Sequence, residues 1–267
     1  SSESVLPYVR RLGEREGMLV SLLRVTDPFF STPFGLAHEL TEEAREKVVS
    51  KSSTYLSVIE NRLGLDHVSC RSVVGLAREE ICREAGDQKS DLIVMASQGH
   101  NLAEEVIRLA PCPVLLVRPP APERSEFLHI VVPTDGSPES LQVHLCLEPY
   151  RSRQTRMTLL TATGLTAQDA DYQLARDRLQ AFMGKLEGEF EVQVVDGEAG
   201  SSLLGWARDE GCDLIAMSSH GHGSVRSFLL GSVTQKILRE APCSVLVFPA
   251  ALGKASTPVL SRQPGAD

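Results

Sequence analysis

Two stretches of this chain repeat each other at a distance of one whole domain. Asp91 to His100 (DLIVMASQGH) and Asp213 to His222 (DLIAMSSHGH) share seven of ten residues. Arg108 to Val117 (RLAPCPVLLV) and Arg239 to Phe248 (REAPCSVLVF) share six of ten. A period this long is a duplicated domain rather than a solenoid unit, and 267 residues accommodate two such domains. The junction is the proline-rich run Arg118 to Ser125 (RPPAPERS). The expected division is residues 1–120, residues 126–250 and a tail of residues 251–267.

Within the second copy, apolar runs alternate with helical patterns. Leu128 to Thr134, Met157 to Thr163, Phe190 to Val195, Leu214 to Ser218 and Val245 to Phe248 read as strands. A short helix from Ser137 and helices over Ala167 to Glu187, Ser201 to Glu210 and Gly231 to Glu240 separate them. Such alternation demands right-handed crossovers and a parallel sheet covered on both faces. The expected fold class is α/β, with two tandem doubly wound parallel-sheet domains of the flavodoxin-like kind.

The first copy runs from its second strand, Met18 to Val25, to its fifth, Val114 to Val117. Ser1 to Ser4 aligns with Ser137 to Ser140, so nothing corresponds to Leu128 to Gly136. The N-terminal domain therefore lacks its first strand in this chain. That strand is central in a doubly wound sheet, and its loss leaves neighbouring backbone groups unpaired. Three explanations stay open: a segment cut from the natural N-terminus, direct pairing of the flanking strands, or insertion of Thr257 to Ser261 (TPVLS). Pro258 suits only an edge position and counts against the last.

Charge and hydropathy exclude some functions. A net charge of −8 disfavours a general nucleic-acid binder. No apolar run approaches the roughly 18 residues that span a bilayer, and the N-terminus shows no signal-peptide pattern. The six cysteines contain no CxxC pair, so reduced thiols in a cytoplasmic protein are expected.

The two copies differ most after their fourth strand. The second carries His222 to Leu230, nine residues without counterpart in the first. In a parallel sheet that position lies beyond the carboxyl ends of the strands, where ligands bind. Gly221 and Gly223 allow close backbone approach, and Gly231-Ser232 opens a helix whose N–H groups favour an anion. Ser232 could cap that helix or donate to a phosphate oxygen. From the residues alone, a plain glycine-rich connection with a serine cap explains the loop equally well.

Taken together these motifs resemble the universal stress protein family, over nearly the whole chain. Nucleotide-binding members carry G-x2-G-x9-G-[ST] after strand four. The matching positions here read Ser218-x2-Gly221-x9-Gly231-Ser232, with serine replacing the first glycine. A requirement for positive φ at Ser218 would cost about 1 kcal/mol or more. The family's aspartate ending strand one is matched by Asp135, and its adenine-contacting position ending strand two by Ala162. The resemblance implies a fold of the adenine nucleotide alpha hydrolase-like kind. It implies a site for ATP or AMP, with or without Mg²⁺, made by Asp135, Ala162, Ser218, Gly221, Gly231 and Ser232. The first copy resembles members that do not bind nucleotide this way: Gly99 is kept, the spacer is absent, and His100-Asn101 stands where Gly231-Ser232 does. The resemblance further implies pairing of the two fifth strands into an internal pseudo-dimer, with a homodimer of chains and an unidentified protein partner open.

Other residues carry less. His220 and His222 form an H-x-H without an evident third ligand, so no metal site is assigned. Arg226 lies in the spacer, where a phosphate contact and simple exposure are both open. Ser201-Ser202 are expected to cap a helix, and Trp206 to pack. No Walker A lysine and no obvious general base are present. The expectation is a stress-response regulator or sensor that binds an adenine nucleotide with little or no hydrolysis. A nucleotide-free scaffold and a slow ATPase are the alternatives.

Overall fold

The computed structural model describes residues 2–15, 17–27, 42–97, 100–118, 127–137, 140, 143, 147, 150–164, 168–183, 190–219 and 230–249. The proline-rich junction beyond Arg118, the tail from 251 and the candidate strand Thr257 to Ser261 lie outside these residues. So does most of the helix expected after Ser137.

The C-terminal half contributes β5 (His129–Pro133), β6 (Arg156–Thr163), β7 (Glu191–Asp196), β8 (Leu214–Ser218) and β9 (Ser244–Phe248). They lie in the order β7-β6-β5-β8-β9, all parallel. Runs such as Ile130-Val131-Val132 and Val245-Leu246-Val247 are buried on both faces, as β-branched and leucine-rich segments of a covered parallel sheet must be. Helices α5 (Asp169–Met183), α6 (Ala199–Asp209) and α7 (Ser232–Glu240) provide crossovers.

The N-terminal half contributes a 3-10 turn (Ser2–Val5), α1 (Leu6–Gly13), β1 (Val20–Thr26), α2 (Glu42–Leu63), β2 (Val68–Val74), α3 (Ala77–Asp87), β3 (Ile93–Ala96), α4 (His100–Leu109) and β4 (Val114–Val117). β4 pairs antiparallel with β9, Leu115 opposite Leu246, and so extends the C-terminal sheet to seven strands: β3-β4-β9-β8-β5-β6-β7. Alternation along the strands divides the core in two. Val114, Leu116, Val131, Leu160, Ile215, Met217, Val245 and Val247 face α4, α6 and α7. Leu115, Val117, Ile130, Val132, Leu159, Leu214, Leu246 and Phe248 face the other way, toward Tyr8 of α1, Phe127 and Tyr150. Both clusters draw on both halves.

The N-terminal half departs from a single doubly wound sheet. β1 and β2 pair with each other in a separate two-stranded sheet, while β3 belongs to the large one. Among the described residues the strands flanking the absent one, β1 and β3, do not pair directly. In the other half the equivalent strands, β6 and β8, are joined only through β5.

Candidate functional site

β5, β6 and β8 are parallel neighbours, so their carboxyl ends lie at one edge of the sheet, and the N-terminus of α7 is tied to the end of β8 through Ser219. After β5 the chain turns at Asp135 and Gly136. The hydroxyl of Thr134 is 2.7 Å from that of Ser140 and accepts the Gly136 N–H at 3.0 Å. Gly136 has φ of +80°, a conformation that side chains resist. Asp135 is exposed, and its Oδ1 accepts the backbone N–H of Ser137 at 3.0 Å and the Ser137 hydroxyl at 2.6 Å. The turn therefore holds the carboxylate at the rim of the crevice.

β6 runs further than β5. Leu160 accepts the N–H of Thr134, and by strand alternation Ala162, two residues on, presents its N–H and C=O to the same side. β5 has already turned away there. The backbone of Ala162 thus faces the crevice above the end of β5.

Ser218 ends β8, opposite Phe248 of β9. Among the described residues, Lys89 is the only one other than glycine with positive φ. Ser218 is ordinary strand, so the strain considered for a serine in place of glycine is absent. The next residue, Ser219, is buried; its N–H donates to the Phe248 carbonyl at 2.8 Å. Its own carbonyl accepts the Gly231 N–H and the Thr234 hydroxyl, both at 3.3 Å. Leu230 is buried in the core shared by α6 and α7. The two ends of the loop are thereby tied together at Ser219 and Gly231. Gly221, together with His220, His222, Gly223 and Arg226, lies outside the described residues.

At the start of α7 the structure corrects one assignment. The N-cap is Gly231, with φ −61° and ψ 150°, and Ser232 is the first helical residue. Ser232 therefore is not the cap. Among the described residues no side chain caps this helix, and the first-turn N–H groups of a helix start without intrahelical partners.

A second correction concerns α6. Ser201 and Ser202 do not cap it; Glu198 does, accepting the N–H groups of Gly200 at 3.0 Å and Ser201 at 2.9 Å. Extended φ and ψ at Glu198 (−69°, 122°) start the helix at Ala199, two residues before the sequence pattern suggested. The Ser201 hydroxyl donates to the Glu198 carboxylate at 2.5 Å, and Lys236 of α7 bonds it at 2.9 Å. These donors hold the Glu198 carboxyl at a pKa of about 2, with the Ser201 hydroxyl the largest cause and Lys236 next. Lys236 is thus engaged in joining α6 to α7. Glu198 carried no recognisable signal, because glutamate is an uncommon N-cap.

Trp206 packs partly buried against the core, its ring 5.7 Å from and edge-on to His129 at the opposite end of β5. It takes no part in the crevice.

The first copy ends its fourth strand in the same way and then diverges. The Ser97 N–H donates to the Val117 carbonyl at 2.9 Å, as Ser219 does to Phe248. α4 begins at His100 and α7 at Ser232. Two residues therefore separate Ser97 from its helix, where twelve separate Ser219 from the corresponding one. The halves share a strand end and part company in the connection beyond it.

The sequence model of the Universal stress protein family matches residues 1–118 and again 126–249. A universal stress protein of Synechocystis is 24% identical over 212 residues, 74% of this chain and 72% of that one. One from Thermus aquaticus is 43% identical over 57 residues, 21% of this chain and 42% of that protein. Among solved structures, a universal stress protein from Archaeoglobus fulgidus superposes with a TM-score of 0.66 at 17% identity, covering 92% of this chain and 91% of its own. A counterpart from Pseudomonas aeruginosa gives 0.60 at 15% identity, covering 89% and 94%. At these identities the structures speak to the fold alone.

Proposed function

Because the chain belongs to the universal stress protein family, we propose that it is a stress-response regulator or sensor whose C-terminal half binds an adenine nucleotide, ATP or AMP. What supports this reading is that the parallel order β6-β5-β8 puts three unlike groups at the same edge of the sheet. The Asp135 carboxylate stands at that edge, and the Ala162 backbone is presented above the end of β5. The N-terminus of α7 follows β8 at that edge, and among the described residues no side chain caps it. First-turn N–H groups and the helix dipole favour a phosphate. A strand-end backbone supplies both a donor and an acceptor, as the edge of a purine requires. A carboxylate suits ribose hydroxyls. The Asp135 Oδ1 is already held by the Ser137 N–H and hydroxyl, and the reading is of binding with little or no hydrolysis.

In the first half only two residues separate Ser97 from α4, too few to wrap a triphosphate. The reading therefore assigns one nucleotide per chain. Isothermal titration calorimetry with ATP or AMP, with and without Mg²⁺, tests this directly. Saturable binding near one site per chain, weakened in Gly231→Val, is the expected result. A stoichiometry near two would overturn the one-sided assignment. Absence of heat with either nucleotide would favour a nucleotide-free scaffold, and Mg²⁺-dependent phosphate release lost in Asp135→Ala would favour a slow ATPase.

A further inference from the structure

An open cleft of about 340 Å³ lies in the first half, lined by Ser72, Val73 and Val74 of β2 together with side chains of α2 and α3. Val20 donates its N–H to His67, and Gly75 donates to Thr26, so the odd-numbered residues of β2 pair with β1. By alternation, Ser72 and Val74 present N–H and C=O groups to the outer edge. Among the described residues no strand pairs with that edge. The cleft thus offers backbone donors and acceptors that no ladder uses.

The side chains of β2 alternate between the two helices. The Cys70 thiol donates to Glu60 of α2 at 3.6 Å, and Arg71 pairs with Glu84 of α3, so even-numbered side chains face α2 and odd-numbered ones face α3. Ser72 therefore turns its hydroxyl toward α2, where among the described residues the buried Oγ has no hydrogen-bond partner. A buried hydroxyl left unpaired is destabilising, and on the wall of a cleft it points to a ligand. Arg45 and Glu46, consecutive on α2, line the same cleft. Among the described residues neither takes part in an ion pair or side-chain hydrogen bond. On the opposite wall Glu80 pairs with Arg83. Gly75 admits the Glu80 side chain over the end of β2, since a Cβ there would meet its Cγ at 2.8 Å and its Oε1 at 2.9 Å. Val49 and Val73 add apolar surface.

We propose that this cleft binds a free α-amino acid with a branched apolar side chain. Arg45 and Glu46 place opposite, unpaired charges on adjacent residues, and an α-amino acid carries an ammonium and a carboxylate on one carbon. The carboxylate takes the Arg45 guanidinium and the Ser72 hydroxyl, while the ammonium takes the Glu46 carboxylate and an outward carbonyl of β2. Val49 and Val73 receive the side chain. A purely anionic ligand would face Glu46, and a purely cationic one Arg45, as a like charge. A volume of about 340 Å³ is at the small end of ligand pockets and suits a single amino acid. The site lies in the first half and does not rest on nucleotide binding by the second.

Isothermal titration calorimetry of the full chain with L-leucine is the test. Saturable binding with a Kd of about 1 mM or tighter is expected. Leucinamide and N-acetyl-leucine, each lacking one of the two charges, should bind about tenfold more weakly or worse. Arg45→Met and Glu46→Gln should weaken leucine by a similar factor with unchanged far-UV spectra, as both side chains are exposed. Ser72→Ala separates recognition from folding. It removes a hydroxyl that the fold leaves unpaired, so the melting temperature should hold or rise while leucine affinity falls. No saturable heat with leucine, isoleucine or valine would overturn the proposal. So would leucinamide and N-acetyl-leucine binding as well as leucine, or an affinity untouched by all three substitutions.

Discussion

The N–H of Gly231 donates to the carbonyl of Ser219 across 3.3 Å, so the residues that leave β8 and the residue that starts α7 meet at one point. This contact does not require a glycine. Gly231 has a backbone conformation open to any residue, and among the described residues a Cβ added there would meet the Thr234 hydroxyl at 3.7 Å and the Ser219 carbonyl at 3.8 Å. Fold and ligand approach can therefore be separated by mutation. Gly231→Ala should lower stability by about 0.5–1 kcal/mol, the ordinary effect of alanine at an N-cap. It should weaken nucleotide binding by about tenfold or more, because the methyl group occupies space a phosphate needs. Thermal melts and calorimetry on the same variant check both parts; unchanged affinity would show that no ligand approaches Gly231.

Leu115 and Leu246 face each other across the antiparallel pair of β4 and β9, and both are fully buried. Leu115→Ala should lower stability by about 3 kcal/mol, the usual cost of an emptied core position. The informative readout is Trp206, the only tryptophan, which lies on α6 of the other half. Its fluorescence should report a lower urea midpoint although the substitution lies in the first half. An unchanged midpoint would mean that the halves unfold independently.

Thiol reactivity should be graded by burial. Burial pushes the thiols of Cys112, Cys212 and Cys243 up to about 12, and thiolate is the reactive form. A brief iodoacetamide pulse at pH 8, followed by peptide mass spectrometry, should label Cys70, which is exposed, before Cys112, Cys212 and Cys243. Cys112, Cys212 and Cys243 should react only after denaturation. Early labelling of any of these three would contradict their packing.

His129 sets a pH dependence of stability. Its ring lies between the Glu210 carbonyl at 3.3 Å and the Thr158 hydroxyl at 3.1 Å, and burial lowers its pKa below the ordinary 6.5. The folded state thus resists a proton that the unfolded chain accepts. The neutral ring's contribution is complete above the unfolded pKa and diminishes as pH falls below it. Urea midpoints measured between pH 7.5 and 5 should decline, and His129→Asn should flatten that decline. An identical slope in the variant would place the effect on other groups.

Much of the fold was legible because it is written at short range. Alternation and β-branched runs located the five strands of the second copy to within a residue at either end, and Val114 to Val117 of the first at both ends. The aligned Asp91 and Asp213 segments revealed two halves. The cap of α6 was not legible: Ser201-Ser202 suit a cap by residue type, but the extended backbone falls at Glu198, which Lys236 reaches from another helix. Ser232 was misplaced by one position for a similar reason, since the Gly231 N–H is held by Ser219, a residue twelve positions earlier.

Residue order alone establishes the duplication, the alternation of strands with helices, the lack of a counterpart to β5 and the contrast between a long and a clipped loop. Periodicity and turn chemistry act over a few neighbours, so a linear reading captures them. The joining of β3 and β4 to the sheet of the other half, with β1 and β2 standing apart, is settled at the tertiary level. A strand edge is satisfied by whichever backbone reaches it in register, and that choice belongs to the whole chain rather than to any segment of it.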